Sequence, residues 1–232
     1  DVRQPGEYTE AHIPGAKLIP LPELEARLDE IPENRDVVFY CRSGRRSQVG
    51  ATFAVGRTSA GGNIYNLAGG IMAWNGNTLP NFPKVQVFGR AETHEDLLLL
   101  AMELEKGAWR FYQTLMARFA SKPFSPVFEE LSKEERAHAR LIHQHLEKAG
   151  REMSGFDKAF EGLEGDLMES GQGLEDALQR VEALEGDLCL NLMEMSLDVE
   201  LAAYDLHRTI AERSEKAETR DAFLSIAQAE KG

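Results

Sequence analysis

The sequence predicts two domains of different class, an α/β domain with a mainly parallel sheet and an all-α helical bundle that follows it. Short apolar runs alternate with polar stretches in residues 1–89, whereas long amphipathic helical patterns begin near Thr93. Seven of the nine prolines occur at or before Pro83, and none follows Pro126. Residues 1–89 carry nine acidic and nine basic residues, so the whole net charge of −13 belongs to residues 90–232. We therefore place the two domains at 1–89 and 90–232.

Composition narrows the classes of function. With 42% hydrophobic and 28% charged residues, the chain has the composition of a soluble globular protein, and it lacks an apolar stretch long enough to span a membrane. The net charge of −13 argues against nucleic acid or an anionic membrane as a partner. Two cysteines, Cys41 and Cys189, do not make a disulfide framework, and no export signal is present, so we expect a cytoplasmic protein.

The first domain alternates strand and helix patterns. Apolar runs predict strands at 1–3, 16–21, 36–40 and 63–70, and amphipathic runs predict helices at 22–31 and 47–56. In α/β sheets, ligands bind beyond the carboxyl ends of the strands. The end of the third predicted strand is therefore the first place to search for a site.

Cys41 directly follows that strand, and a tight loop rich in arginine leads from it into a helix near Ser47. The amides of a curled loop and a helix N-terminus together bind anions and lower a thiol pKa. The loop therefore predicts a reactive Cys41 thiolate beside an anion site made by Arg42, Ser43, Gly44, Arg45 and Arg46. The alternative is a half-buried cysteine at a strand end, with the arginines on an ordinary solvated turn.

The length of the loop distinguishes two enzyme classes. Cysteine phosphatases place five residues between the cysteine and the phosphate-binding arginine, whereas only four separate Cys41 from Arg46. A tighter loop favours a smaller group on the thiol, such as a sulfane sulfur carried as a persulfide.

Three segments resemble, in order, the signature segments of a rhodanese (sulfurtransferase) domain: "DVRQPGEYTEAHIPGA", "VVFYCRSGRRS" and "NLAGGIMAWNG". The resemblance implies that Cys41 takes sulfur from a donor such as thiosulfate and passes it to a thiol or other thiophilic acceptor. It also implies that Asp1, which matches the aspartate of the family, pairs with Arg46. The first strand and helix of the family fold would precede Asp1, and Ala11 stands where the family has glycine.

The second domain predicts four main helices with one long connection, which is typical of a ferritin-like four-helix bundle. Thr93 and Asp96 form a capping-box pattern at the first helix. The predicted bounds are 95–119, 125–150, Leu174 to about Ser214, and from Ala217 onward, with a Gly-rich acidic connection at 151–173.

The two halves of this domain repeat each other. "EKGAWRFY" at 105–112 aligns with "ELAAYDLH" at 200–207. Glutamates recur at the same interval in both halves, from Glu105 to Glu135 and from Glu200 to Glu230. Since Glu105 and Glu200 have apolar neighbours, they are expected to face the core, where an unpaired carboxylate is costly.

A dinuclear metal site with carboxylate ligands would explain this pattern, because two hard cations need several anionic oxygens and imidazoles. Glu105 and Glu200 would be the single ligands, Glu135 and His138 one Glu-x-x-His pair, and Glu230 the start of a second pair. We expect the histidine of that pair one position after the last residue. The alternative is that these are ordinary surface glutamates of helices.

This half resembles the rubrerythrin branch of the ferritin-like proteins, which implies two iron ions, or other divalent metals, that react with peroxide or oxygen. Tyr112 matches a tyrosine that the family places beside the metal. His207 stands at the equivalent position of the second half of the repeat and departs from the family pattern. We expect a sulfurtransferase fused to a di-iron domain, acting as a homodimer. The rival hypothesis is a non-catalytic protein that senses, carries or stores sulfur and iron, with the bundle serving mainly for dimerisation.

Overall fold

The structure, a computed structural model, describes residues 1–32, 34–55, 57 and 62–230. The chain divides into two compact units, Asp1–Phe82 and Pro83–Gly232. The predicted fold class is confirmed, because a small parallel sheet with helices precedes a mostly helical region. Among the described residues, no helix has both the length and the apolar character that crossing a membrane requires.

The first unit has a two-stranded parallel sheet flanked by helices. Its elements in chain order are α1 (Pro5–Glu10), a 3-10 helix (Leu21–Glu30), β1 (Val37–Phe39), α2 (Arg45–Ala54), β2 (Ile64–Asn66) and a 3-10 turn (Gly70–Ala73). Val37 of β1 is in register with Ile64 of β2. A small core around Leu24, Phe39 and Ala54 packs α2 and the first 3-10 helix onto the sheet.

The strand predictions for 1–3 and 16–21 are wrong within the described part of the chain. The first segment does run beside β1, and the amide of Val2 donates to the carbonyl of Tyr40 (3.0 Å). Proline has no amide hydrogen, so Pro20 cannot donate to a ladder in the second segment. The predicted helix at 22–31 is a 3-10 helix. The helix predicted for 47–56 begins at Arg45, and residue 56 lies outside the described residues.

The second unit is a helical bundle. A 3-10 turn (Val85–Phe88) precedes α3 (His94–Arg118), α4 (Ser125–Lys148), α5 (Phe156–Glu161), α6 (Leu174–Glu182), α7 (Leu188–Arg213) and α8 (Ala217–Ala229). Helix α3 packs along α4, and α7 packs along α8, so these four helices form the predicted bundle. The connection between α4 and α6 contains α5 and then a loop over residues 162–173.

The capping box at the start of α3 is present. The hydroxyl of Thr93 accepts a hydrogen bond from the amide of Asp96 (3.0 Å), and the Asp96 carboxylate accepts one from the amide of Thr93 (3.2 Å). From this start, helical periodicity places Ala101, Glu105 and Tyr112 on one buried face. The amphipathic pattern of α3 therefore places Glu105 in the core.

The prediction of one continuous helix from Leu174 to Ser214 is wrong. Residues 183–187 separate α6 from α7. Helix α6 ends at Glu182 with Ala183 as its C-cap, and Gly186 in the connection has φ of +84°. Asp187 then caps α7 by accepting a hydrogen bond from the amide of Leu190 (3.1 Å). Glycine followed by a capping aspartate therefore breaks the amphipathic pattern.

Candidate functional site

In the first unit, the Cys41 thiol lies at the N-terminus of α2. The side chain is 1% exposed. Its sulfur accepts hydrogen bonds from the amide of Gly44 (3.2 Å) and from the hydroxyl of Ser47 (3.4 Å). Gly44 has φ of +86°, which curls the loop so that its amide points at the sulfur. The thiol is therefore surrounded by donors that stabilise a negative charge.

A second segment supports the loop from behind. The amide of Ile71 donates to the carbonyl of Cys41 (2.8 Å), and the amide of Met72 donates to the carbonyl of Arg42 (3.1 Å). A Cβ on Gly70 would lie 2.2 Å from the Cys41 carbonyl oxygen. The close approach of these two backbones requires glycine at position 70 and holds the loop in shape.

The carboxylate partner of the loop differs from the expectation. The guanidinium of Arg46 binds both oxygens of Glu7, at 2.7 and 2.6 Å. This pairing lowers the pKa of Glu7 to about 2. Asp1 instead pairs with Arg3 (2.6 Å), so the predicted pairing of Asp1 with Arg46 is wrong. Arg3 is only two residues from Asp1 and pairs with it locally.

The hydrogen bonds of the loop lower the pKa of the Cys41 thiol. Burial alone would raise the pKa of Cys41, but the Ser47 hydroxyl and the amides of Ser47, Ser43 and Gly44 outweigh it and lower the pKa to about 7. The side chains of Arg42, Ser43 and Arg45 are exposed, whereas that of Arg46 is half-buried. The loop thus holds a buried thiol of lowered pKa beneath an exposed cationic rim.

In the second unit, side chains from three helices meet around His138. Three residues each place one potential ligand atom within 4.8 Å of those of the other two. They are Glu105 on α3, His138 on α4 and Glu230 at the end of α8. The Nδ1 of His138 lies 3.6 Å from Glu105, 3.5 Å from Glu135 and 3.3 Å from Glu230. Three of the five predicted ligands, all glutamates, therefore surround the imidazole of a fourth, His138.

Glu200, the fifth predicted ligand, lies on α7 and contacts the buried Tyr112. The Tyr112 hydroxyl donates a hydrogen bond of 2.7 Å to Glu200 Oε1. This bond joins the first half of the repeat to the second, because Tyr112 belongs to α3. It holds one oxygen of Glu200 in place within the bundle.

Two buried residues of this region were not predicted as site residues. His207 is fully buried on α7, and its Nδ1 lies 3.2 Å from Glu230 Oε1. Its position in the repeat, opposite Tyr112, was a signal that could have revealed it. Glu169 is 1% exposed and lies in the loop between α5 and α6. No periodicity marks that loop, so the sequence carried no signal for Glu169.

Burial and mutual repulsion raise the carboxyl pKa values. Burial first, and then neighbouring carboxylates, raise the pKa of Glu105 and Glu135 well above their ordinary value, and that of Glu200 rises as well. The same causes raise the pKa of Glu169 to about 8, against a smaller opposing effect of its own amide. Burial would lower the pKa of His138, but contact with Glu135 and the charge of Glu230 raise it to about 9.

These residues suit divalent iron. Within the described part of the chain, both carboxylate oxygens of Glu105, Glu169 and Glu230 have no hydrogen-bond partner. Buried carboxylates without partners are costly, and bound cations offset that cost. A set of carboxylates with imidazole matches the ligands that iron takes in ferritin-like bundles.

Comparisons with known proteins match two parts of the chain to two different families. The model for the rhodanese-like domain matches residues 1–77, and the model for rubrerythrin matches residues 96–232. A sulfurtransferase of Allochromatium vinosum is 41% identical over 80 residues, which are 34% of this chain and 73% of that protein. The comparison with solved structures found no match.

Two relatives in Bacillus subtilis also match the first domain alone. The putative sulfurtransferase YtwF is 34% identical over 80 residues, which are 34% of this chain and 75% of that protein. The putative sulfur carrier protein YrkF is 40% identical over 78 residues, which are 34% of this chain and only 41% of that protein. The chain thus spans most of the length of two of these relatives and less than half of the third.

The rubrerythrin match extends over more than half of the chain and includes every residue of the carboxylate cluster. A rubrerythrin domain implies iron binding, which agrees with the buried carboxylates and imidazoles of the bundle. The chain therefore belongs to the rubrerythrin family, and a rhodanese-like domain precedes its rubrerythrin domain.

Proposed function

We propose that the first domain transfers sulfane sulfur through a persulfide on Cys41. The observation that carries this proposal is the pair of donors, the Gly44 amide and the Ser47 hydroxyl, directed at a buried sulfur. The same donors that stabilise a thiolate would stabilise the terminal anionic sulfur of a persulfide. The sulfurtransferase names of two relatives support this reading.

The transfer has two steps. The Cys41 thiolate attacks the outer sulfur of a thiosulfate-type donor, the S–S bond of the donor breaks, and sulfite leaves with the bonding electron pair. An acceptor thiolate then attacks the terminal sulfur, the bond from that sulfur to Cys41 breaks, and Cys41 leaves as a thiolate. Arg42 and Arg45, exposed beside the loop, would attract the anionic donor, while Arg46 and Glu7 hold the loop against α1.

Thiocyanate formation from thiosulfate and cyanide tests this activity in the intact chain. We expect Cys41→Ser to abolish the reaction, whereas Cys189→Ser, which removes the other free thiol, keeps the wild-type rate. A wild-type rate no higher than that of Cys41→Ser would contradict the proposal. Loading of sulfur on Cys41 without turnover would instead indicate the sulfur-carrier alternative.

We propose that the second domain holds two iron ions and reduces peroxide or oxygen. Glu105, Glu135, His138, Glu200 and Glu230 would bind the metal, and the iron, when bound, would supply electrons to the O–O bond. The Tyr112 hydroxyl orients Glu200, and the buried surroundings of Glu105 exclude bulk water from the site.

Metal content tests the second proposal. We expect protein expressed with ample iron to hold close to two equivalents, and Glu135→Ala to lose most of them. Glu134→Ala is the matched control, because Glu134 is the exposed neighbour of Glu135 on the same helix. Less than one equivalent in the wild type, unchanged in Glu135→Ala, would contradict a di-iron site.

A further inference from the structure

A loop outside the four main helices packs directly against α3, the helix that carries Glu105. Residues 162–173 connect α5 to α6. The guanidinium of Arg110 donates hydrogen bonds to the carbonyl of Gly165 (3.1 Å) and to the carboxylate of Asp166 (2.6 Å). The carboxylate of Glu103 accepts a hydrogen bond from the amide of Gly165 (2.6 Å). Since Glu103 and Arg110 flank Glu105 in sequence, the loop is fixed to α3 on both sides of that predicted ligand.

Glycine at position 107 makes this contact possible. A Cβ there would lie 2.1 Å from the carbonyl oxygen of Leu167, so the backbones of α3 and the loop touch directly. The loop then forms a turn, in which the amide of Met168 donates to the carbonyl of Gln172 (3.0 Å) and the amide of Gly171 donates to the carbonyl of Met168 (2.9 Å). Glu169 lies inside this turn and is therefore held by hydrogen bonds on either side.

Glu169 points its carboxylate into the protein. Its side chain is 1% exposed, and neither oxygen has a hydrogen-bond partner among the residues that the structure describes. Met168, the residue before Glu169, is fully buried in the same core cluster as Ala108 and Tyr112 of α3. The loop therefore brings Glu169 into the core of the bundle beside the helix that carries Glu105.

A purely structural role does not account for this arrangement. A buried structural carboxylate normally accepts hydrogen bonds or pairs with a cation, and an unpaired one destabilises the fold. Here the loop is fixed by other contacts, from Arg110, Glu103 and its own turn. A carboxylate that stabilises nothing in the metal-free fold is explained if a cation binds it.

We propose that Glu169 is an additional metal ligand, delivered from the loop between α5 and α6. This inference rests on the metal site proposed above and goes beyond it, because the expected ligand set comes from the four bundle helices alone. Glu169 contributes one more anionic oxygen, and its position depends on the contact of the loop with Gly107.

Cobalt(II) titration of the intact chain tests the proposal without reference to turnover. The metal-free protein is titrated with Co(II), with chelator competition for the affinity and visible absorption for the coordination. We expect Glu169→Gln to weaken Co(II) binding by about 10-fold or more and to change the visible bands. Glu169→Asp, which keeps the charge but shortens the side chain, should also weaken binding, because a ligand needs the correct reach.

Two controls separate a ligand from a structural residue. Glu164→Gln changes an exposed carboxylate of the same loop and should bind Co(II) like the wild type. The melting temperature of metal-free Glu169→Gln should equal or exceed that of the wild type, because the change removes an unpaired buried carboxyl group. A lower melting temperature with unchanged Co(II) affinity would indicate a structural role and overturn the proposal.

The test also distinguishes this proposal from the one it rests on. If Glu135→Gln weakens Co(II) binding while Glu169→Gln keeps the wild-type affinity and spectrum, the metal site stands and Glu169 is not a ligand. If the wild type itself binds no Co(II) or iron, the metal site fails and the role of Glu169 fails with it.

Discussion

The Cys41 sulfur accepts hydrogen bonds from two donors, one in the loop and one in helix α2. The Gly44 amide reaches the sulfur only because the residue adopts a left-handed conformation, and the Ser47 hydroxyl reaches it from the first turn of α2. Together with the backbone amides, they outweigh the effect of burial and bring the pKa of the thiol to about 7. The thiolate fraction therefore rises steeply through neutral pH.

Alkylation of Cys41 by iodoacetamide should report this pKa. In a Cys189→Ser background, we expect the rate to rise with pH and to reach half of its maximum near pH 7. Ser47→Ala should move that midpoint upward, toward the value of about 8.5 for a free thiol, because the hydroxyl donor is lost. Ser43→Ala is the matched control, since its side chain is exposed and only its amide contributes. An unchanged midpoint in Ser47→Ala would contradict the assignment.

Sequence reasoning at the scale of single residues succeeded where the signal was local. The loop from Cys41 to Arg46 follows a strand and opens a helix, as the order of residue types predicts. The partner of Arg46 could not be read in the same way. Asp1 and Glu7 are both acidic and lie in the same segment, and only the packing of α1 against the start of α2 decides that Glu7 is the partner.

At the scale of elements, the contact between α3 and the loop at 162–173 depends on Gly107. Glycine inside a helix usually destabilises it, and replacement of glycine by alanine in an exposed helix stabilises the helix by about 1 kcal/mol. Here a Cβ would collide with the Leu167 carbonyl oxygen at 2.1 Å, so replacement of Gly107 by alanine should lower the stability of the fold. The close approach of the two backbones outweighs the helical preference of alanine.

Gly107→Ala should therefore destabilise the helical unit by roughly 1–3 kcal/mol, as overpacking does in other cores. Urea unfolding followed by far-UV circular dichroism measures the change. Gly162→Ala is the control, because a Cβ there would meet its nearest atom, the Lys158 carbonyl oxygen, at an ordinary 3.4 Å. We expect that variant to match the wild type. A Gly107→Ala protein as stable as the wild type would show that the loop is free to move away from α3.

The elements of the bundle were predicted well because their signals are periodic or lie at helix ends. The capping box at Thr93 and the amphipathic repeat placed α3 and α4 to within two residues of their bounds. The break between α6 and α7 was missed, although Gly186 and Asp187 carry a local signal for it. The segment at 16–21 does donate from Ile19 and Leu21 to the carbonyls of Asp1 and Val2, but Pro20 between them has no amide hydrogen and the segment does not form a regular strand.

At the scale of the whole molecule, each unit has a core of its own. Leu24 and Phe39 belong to the core of the first unit, whereas Leu98 and Phe223 belong to that of the second. The carboxylate cluster lies entirely within the second unit. Binding of a cation should therefore stabilise one unit and leave the other unchanged, since a ligand stabilises only the fold that binds it.

Calorimetry of the intact chain with and without a chelator should show this separation. We expect metal at 100 times its dissociation constant to stabilise the helical unit by about 2.7 kcal/mol, and chelation to reverse the shift. The melting temperature of the first unit should not change. Cys41→Ser should keep the full effect of the metal, and Glu135→Ala should lose most of it. An effect of equal size in Glu135→Ala would contradict a site at this cluster.

The homodimer expected from the sequence stays a prediction.

The sequence by itself determined the class of each domain, the Cys41 loop and the repeated glutamates. Each of these signals is carried by residues close together in the chain or by a helical period. Only the tertiary structure decided that Glu7 pairs with Arg46, that His207 lies beside Glu230, and that Glu169 is buried in the loop between α5 and α6. Such contacts join residues far apart in sequence, and burial and backbone packing, which local residue types do not encode, select them.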